Sequence, residues 1–177
     1  MQKEIAGVTL EAVKGDIASQ EDLEAVVNAA NRELRIGGGV AGAIHRAAGP
    51  ELEKECRQYA PISPGEAVIS GAYNLPNNHV IHCLGPVYGV DKPADKLLAD
   101  CYRNALTKAE ENGISSVGFP AISTGAFGYP IEEALEVVRE TMLEEVPKLE
   151  SVKLIRFVLF DDSSLKVYQQ KLIEKLS

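Results

Sequence analysis

Apolar residues in this chain change period repeatedly, from short strand-like runs to longer stretches with helical spacing, and that alternation leaves few folds open. Residues 8–13 (VTLEAV), 24–30 (EAVVNAA), 66–73 (EAVISGAY), 79–85 (HVIHCLG), 116–122 (SVGFPAI) and 151–160 (SVKLIRFVLF) read as strands. Residues 40–48 carry a helical pattern. Within 94–112, Leu97, Leu98, Cys101, Ala105 and Ala109 fall on one face, with Gly113 as the C-cap. Residues 131–146 align Ile131, Leu135, Val138 and Met142 on a stripe that Pro147 stops. Leu165, Tyr168, Leu172 and Leu176 make the inner face of a last helix. Such alternation predicts an α/β fold, a three-layer α/β/α sandwich with a mixed, mostly parallel central sheet. Residues 66–73 and 79–85 are expected to form an antiparallel hairpin within it. The 177 residues suit one domain spanning 1–177, with no repeat or linker.

Composition removes several function classes. The formal net charge is −8, Trp is absent, and no stretch interleaves Lys or Arg with aromatics, so free nucleic acid is not an expected partner. No apolar run reaches membrane-spanning length, and the N-terminus lacks a basic region followed by an apolar one. The expectation is a cytoplasmic protein without a membrane partner. Cys56, Cys83 and Cys101 are odd in number and form no C-x-x-C pair, which predicts buried free thiols. His45, His79 and His82 do not make a metal set, because positions 79 and 82 fall on opposite faces of a strand. No metal or cofactor is expected.

Ligands of open α/β sheets bind beyond the carboxyl ends of the strands. Four stretches follow predicted strands there: KGDI (14–17), NAANRELRIGGGVAGAIH (28–45), PAISTGAFGYP (120–130) and FDDSS (160–164). Two are rich in glycine and lead into helices. Gly37, Gly38 and Gly39 precede one helix, and STGAFGYP precedes another opened by Pro130. Glycine lets a ligand approach the backbone, and the free N–H groups of a first helical turn attract anions. Two such loops on one sheet edge could clamp a diphosphate, with Phe127 and Tyr129 as apolar walls. Neither loop matches G-x-G-x-x-G or G-x-x-x-x-G-K-[ST], which argues against a Rossmann dehydrogenase and a P-loop NTPase.

VVNAAN, GGGVAGAIHRAAG and FPAISTGAFGYP, in that order and spacing, resemble the macrodomain family of ADP-ribose binders. The likeness runs from Gly15 to about Ser177 and is greatest to the branch of ADP-ribosyl-protein and O-acetyl-ADP-ribose hydrolases. It implies that Asp16 accepts a hydrogen bond from the adenine amine, helped by the Ile17 N–H, and that Phe160 either stacks on adenine or packs in the core. A carboxylate only accepts and the amine only donates. The diphosphate would lie against the amides around Val40 and those of Ser123, Thr124, Gly125, Ala126 and Phe127. Asn31 would meet the distal ribose hydroxyls, with Asn28 either supporting it or serving as turn chemistry. Gly37, Gly38 and Gly39 would leave room for a 1″ substituent, and Phe127 would pack on the ribose. The implied catalytic set is Asn31, Gly42 and Phe127.

The expected partners are therefore ADP-ribose, its derivatives and mono-ADP-ribosylated proteins. The expected reaction is hydrolysis of an ester between the distal ribose and an acidic side chain or an acetyl group, through a positioned water. One residue departs from the pattern. Many hydrolases of this branch carry an aspartate before the glycine of the GGGV-x-G loop, whereas here Ala41 precedes Gly42. Loss of a general base typically slows a reaction about 10²–10⁴-fold. Ala41 supports one alternative, a non-catalytic reader of ADP-ribose; another is a phosphatase acting on ADP-ribose 1″-phosphate, which the same pocket could accept.

Overall fold

Strands buried on both faces need nearly continuous apolar runs, and Val26, Val27, Val80, Ile81, Val117, Ile155 and Phe157 supply them. The computed structural model describes residues 1–176; Ser177, which closes the expected domain, lies outside the described residues. The strands are β1 (Gln2–Ile5), β2 (Val8–Lys14), β3 (Ala25–Ala29), β4 (Ala67–Gly71), β5 (His79–Cys83), β6 (Ser116–Phe119) and β7 (Leu154–Leu159). The helices are α1 (Gly39–Ala48), α2 (Pro50–Cys56), α3 (Ala94–Glu111), α4 (Ile131–Glu145) and α5 (Asp162–Lys171). All seven strands join one sheet in the order β1-β2-β7-β6-β3-β5-β4. From β2 to β5 the neighbours are parallel, while β1 and β4 pair antiparallel at the two edges. The mixed, mostly parallel sheet and the β4–β5 hairpin match expectation.

Helices α3, α4 and α5 cover one face, where the rings of Tyr102, Phe119, Phe157 and Tyr168 follow one another at centroid distances of 5.0, 6.0 and 5.9 Å. Helices α1 and α2 cover the other, burying Ile44, Leu52 and Cys56 against Val26, Val80 and Val158. The three cysteines are buried free thiols. Among the described residues no helix is long and apolar enough to cross a membrane.

Two elements escaped the apolar pattern. Strand β1 is half-exposed and is tied to β2 by Ala6 and Gly7, both at positive φ. Helix α2 buries only Leu52 and Cys56, too few residues to announce a helical stripe. The strand expected over 116–122 ends at Phe119, because Pro120 has no N–H to continue the ladder. The last helix stops at Lys171, and Leu172 and Leu176 are buried from the short 3-10 turn that follows it.

Under α1 and α2 runs a buried polar seam. Asn28 faces His82 across the β3–β5 register, with Asn28 Nδ2 3.1 Å from His82 Nδ1. Ser70 Oγ donates its hydroxyl to the Gly71 carbonyl, at 2.9 Å, and lies 2.9 Å from His82 Nε2. Its oxygen must then accept from an Nε2–H, which leaves Nδ1 bare to accept from Asn28. Burial, reinforced by the neighbouring His45, pushes the His82 pKa down to about 3 from an ordinary 6.5. Burial lowers His45 as well, against an opposing pull from Glu53.

These shifts give stability a pH dependence. The unfolded chain takes up a proton on His82 as pH falls below about 6.5, while the folded chain does not. The contribution is complete above that pH and shrinks as pH falls, by up to about 1.4 kcal/mol per pH unit. Urea unfolding should therefore show lower stability at pH 5 than at pH 6.5, with a flatter dependence in His82→Gln. Equal slopes in the two proteins would contradict this assignment.

Candidate functional site

Strand β3 lies between β5 and β6, so the chain leaves it on one side and returns on the other. Crossovers that diverge in this way open a crevice at the carboxyl edge of a parallel sheet. The loops bordering this crevice are the two glycine-rich ones, residues 30–38 running from β3 into α1 and 120–130 running from β6 into α4. Two hollows adjoin here. One, of about 610 Å³, is lined by Asp16, Ile17, Val40, Arg46 and Phe160 among others. The second, of about 440 Å³, is lined by Asn31, Gly37, Gly38, Ala41, Ser123 and Phe127 among others. Gly39, Val40 and Ala121 belong to both, which makes one cleft with two chambers.

The walls between the chambers are main chain. Among the described residues, the N–H groups of residues 37–41 and 123–127 donate to no protein acceptor. Several of their carbonyls are engaged instead. Gly38 O accepts from Gly42, Ser123 O from Tyr129, Gly125 O from Gly128 and Phe127 O from Tyr88, at 2.9–3.2 Å. Two sets of amides are thus left over at a helix N-terminus and a tight loop, the arrangement that favours an anion. The first turn of α1 contains no acidic side chain. Ser123 is held at φ 65°, a left-handed conformation costing about 1–2 kcal/mol for a residue with a Cβ. Its buried Oγ has no partner among the described residues.

Side chains mark the two ends. Asp16 caps a 3-10 turn (Ile17–Ser19) by accepting from Ala18 N at 2.9 Å, and the residue lines the first chamber. Phe160, just after β7, is 86% exposed, so of its two expected placements core packing is excluded. In the second chamber the Asn31 amide bonds the Arg35 backbone in both directions, at 2.8 and 2.9 Å. One N–H and one lone pair of that amide stay free. Gly37 presses against it, since a Cβ there would sit 3.2 Å from Asn31 Nδ2.

Asn28, Thr124 and Gly42 do not line either chamber. Asn28 belongs to the buried seam, and the Thr124 hydroxyl turns to the Ala121 carbonyl. Gly42 backs the glycine loop: a Cβ would lie 2.5 Å from the Gly37 carbonyl oxygen and 2.8 Å from Arg46 Nη1. Tyr129, expected as a wall, is buried in the core beneath the loop with its ring 4.8 Å from Tyr88.

A family model for the Macro domain matches residues 27–138, which contain both loops. This chain is a member of the Macro domain family. It is 43% identical over 171 residues to the O-acetyl-ADP-ribose deacetylase of Citrobacter rodentium, covering 94% of this chain and 96% of that one. The structure of an Oceanobacillus iheyensis macrodomain with ADP superposes with a TM-score of 0.91 at 40% identity, over 97% of this chain and 93% of that one. A Trypanosoma brucei macrodomain in complex with ADP-ribose gives 0.82 at 35% identity, over 91% and 68% of the respective chains.

Two residues of this macrodomain's cleft, Gly85 and Arg46, were missed in the sequence, and a third, Asp161, was reached only as part of the FDDSS stretch. Gly85 follows β5 on the same sheet edge, and a Cβ on it would overlap Ser123 Oγ and Ile122. Its signal was the strand end in HCLGP, a fifth position of the kind that marked the other four. Arg46 is the one cation lining either chamber among the described residues, one turn along α1 from Gly42. Asp161 caps α5, and the Ser164 N–H, with Ser163 beside it, holds its carboxyl below the usual range. The second chamber has no titratable lining side chain among the described residues.

Gly42→Ala forces the Gly37 carbonyl to shift and should cost about 1–3 kcal/mol in denaturant unfolding. At Gly38, φ is −89° and a Cβ meets nothing within 4 Å. Gly38→Ala should therefore stay within about 1 kcal/mol of the parent. Equal losses would show that the backing contact carries no strain.

Proposed function

We propose that the cleft binds ADP-ribose and hydrolyses the ester joining its distal ribose to an acidic side chain or an acetyl group. The observation carrying this reading is the pair of unpartnered amide sets, 37–41 and 123–127, at the join of two chambers. A diphosphate seated there directs adenosine into the first chamber and the distal ribose into the second. Charge-assisted hydrogen bonds contribute about 1.5–3 kcal/mol each, so several offset the repulsion from a chain of net charge −8. Relatives and structures whose names carry O-acetyl-ADP-ribose, ADP-ribose and ADP support the same ligand class.

At the adenine end, Asp16 takes the exocyclic amine, the Ile17 N–H meets the ring, and Phe160 stacks on its face. At the distal end, Asn31 orients the ribose hydroxyls, Phe127 packs on the sugar, and Gly37, Gly38 and Gly39 admit the ester substituent. Val40, Ser123, Thr124, Gly125, Ala126 and Phe127 hold the diphosphate through main-chain amides, while Gly42 and Asn28 act from behind the wall. Water adds at the ester and the ester bond breaks. The products are a carboxylate, ADP-ribose with a free hydroxyl, and a proton. With no titratable side chain lining the second chamber among the described residues, orientation of water and sugar supplies the rate, and a substrate phosphate would orient the water. Mono-ADP-ribosylated proteins are the proposed macromolecular substrates, and the cytoplasm the proposed location.

The same absence of a titratable group favours one second reading, a module that binds ADP-ribose without turnover. Incubation with glutamate-linked ADP-ribosylated protein and with O-acetyl-ADP-ribose separates the two. Release of ADP-ribose, slowed about 10²-fold in Asn31→Ala, is the expected result. Tight calorimetric binding without release would establish the module instead. Asp16→Ala should weaken ADP-ribose binding by about 1–3 kcal/mol, and unchanged affinity would place the base elsewhere.

A further inference from the structure

Behind the adenine end, a chain of hydrogen bonds connects Asp16 to a guanidinium outside the cleft. Arg156, on β7, is largely buried: its Nε donates to Glu11 at 2.9 Å and its Nη1 and Nη2 grip both Asp22 oxygens at 2.7 Å. The same Nη1 also donates to Gln20 Oε1 at 2.9 Å. From the other end of that amide, Gln20 Nε2 donates to the Asp16 carbonyl at 2.8 Å. Gln20 is buried, and its own carbonyl accepts from Asn77 Nδ2 at 2.7 Å. Gly15 leaves room for the amide to pass, since a Cβ there would stand 3.2 Å from Gln20 Nε2. Neither Gln20 nor Arg156 lines either chamber.

The orientation of the Gln20 amide follows from its partners. A guanidinium only donates and a carbonyl only accepts, so the flipped amide would be wrong at both ends. Arg156 thereby selects the orientation of Gln20 in which Nε2 fastens the turn that carries the Asp16 carboxylate and the Ile17 N–H. We propose that Arg156 and Gln20 are positioning residues that set the base selectivity of the adenine chamber. This rests on the reading that Asp16 receives the adenine amine. A hypoxanthine base places a carbonyl oxygen where adenine places that amine, so a firmly held carboxylate rejects it, whereas a loosened one turns aside.

The test is the ratio of dissociation constants for inosine-diphosphate ribose and ADP-ribose in the intact chain, Gln20→Glu and Gln20→Met. Glutamate keeps the pairing with Arg156 but presents an oxygen to the Asp16 carbonyl, and methionine keeps the volume with neither donor nor strong acceptor. The parent should prefer ADP-ribose by about tenfold or more, and both variants should fall within about threefold. Affinity for ribose 5-phosphate, a probe of the distal chamber alone, should stay within about twofold of the parent. A purely structural role for Gln20 in holding Arg156 would be preserved by glutamate, so a parental ratio in Gln20→Glu overturns the proposal. So does a loss of ribose 5-phosphate binding equal to the loss of ADP-ribose. A parent with no base preference would show that the adenine reading itself has failed, and the positioning role with it.

Discussion

Main-chain N–H groups without protein partners are the constraint on which the rest of this macrodomain depends. A helix N-terminus leaves its first N–H groups without intrahelical partners, and with Gly37, Gly38, Gly39, Gly125 and Ala126 exposed these amides are open to an incoming acceptor. Among the described residues, 37–41 and 123–127 leave theirs open while the carbonyls of Gly38, Ser123, Gly125 and Phe127 accept. The loops are held in that state by close backbone packing, with Gly42 against the Gly37 carbonyl and Gly85 against Ser123. A left-handed Ser123 adds local strain. Under the proposed function an incoming pyrophosphate would supply those acceptors all at once, which would let an acidic chain take an acidic ligand.

The sheet makes this possible by setting the geometry behind the loops. Five parallel strands deliver their carboxyl ends to one edge, and the reversal of strand order at β3 separates the loops enough to leave a crevice. Chemical character is divided along that edge. Asp16, Arg46 and Asp161 stand at the first chamber, whereas the second offers amides, a free half of the Asn31 amide and apolar surface. On the proposed reading, base recognition and orientation of the sugar ester would rest on different physics in the two chambers: hydrogen bonding by charged side chains in one, and shape with preorganised dipoles in the other.

Much of this was legible in the sequence. Period changes located six of the seven strands, β2 to β7, and four of the helices, because most of them bury a full stripe or both faces. The GGG and STGAFG stretches announced the anion loops, since few other roles need glycine between a strand and a helix. What escaped was whatever pattern does not encode. Strand β1 and helix α2 bury too little apolar surface to show a period, and Tyr129 turned inward because a loop aromatic carries no facing signal. Gly85, Gln20 and Arg156 act through partners distant in the chain, and the Asn28–His82–Ser70 seam exists only once three strands are side by side.

The central claim is that both loops grip the diphosphate through their amides. Titrating ¹⁵N-labelled protein with ADP-ribose and recording amide shifts, with ³¹P couplings across the new hydrogen bonds, measures it directly. The account predicts large shifts and phosphorus couplings at amides within both 37–41 and 123–127. Binding that leaves either loop's amides unperturbed would contradict it.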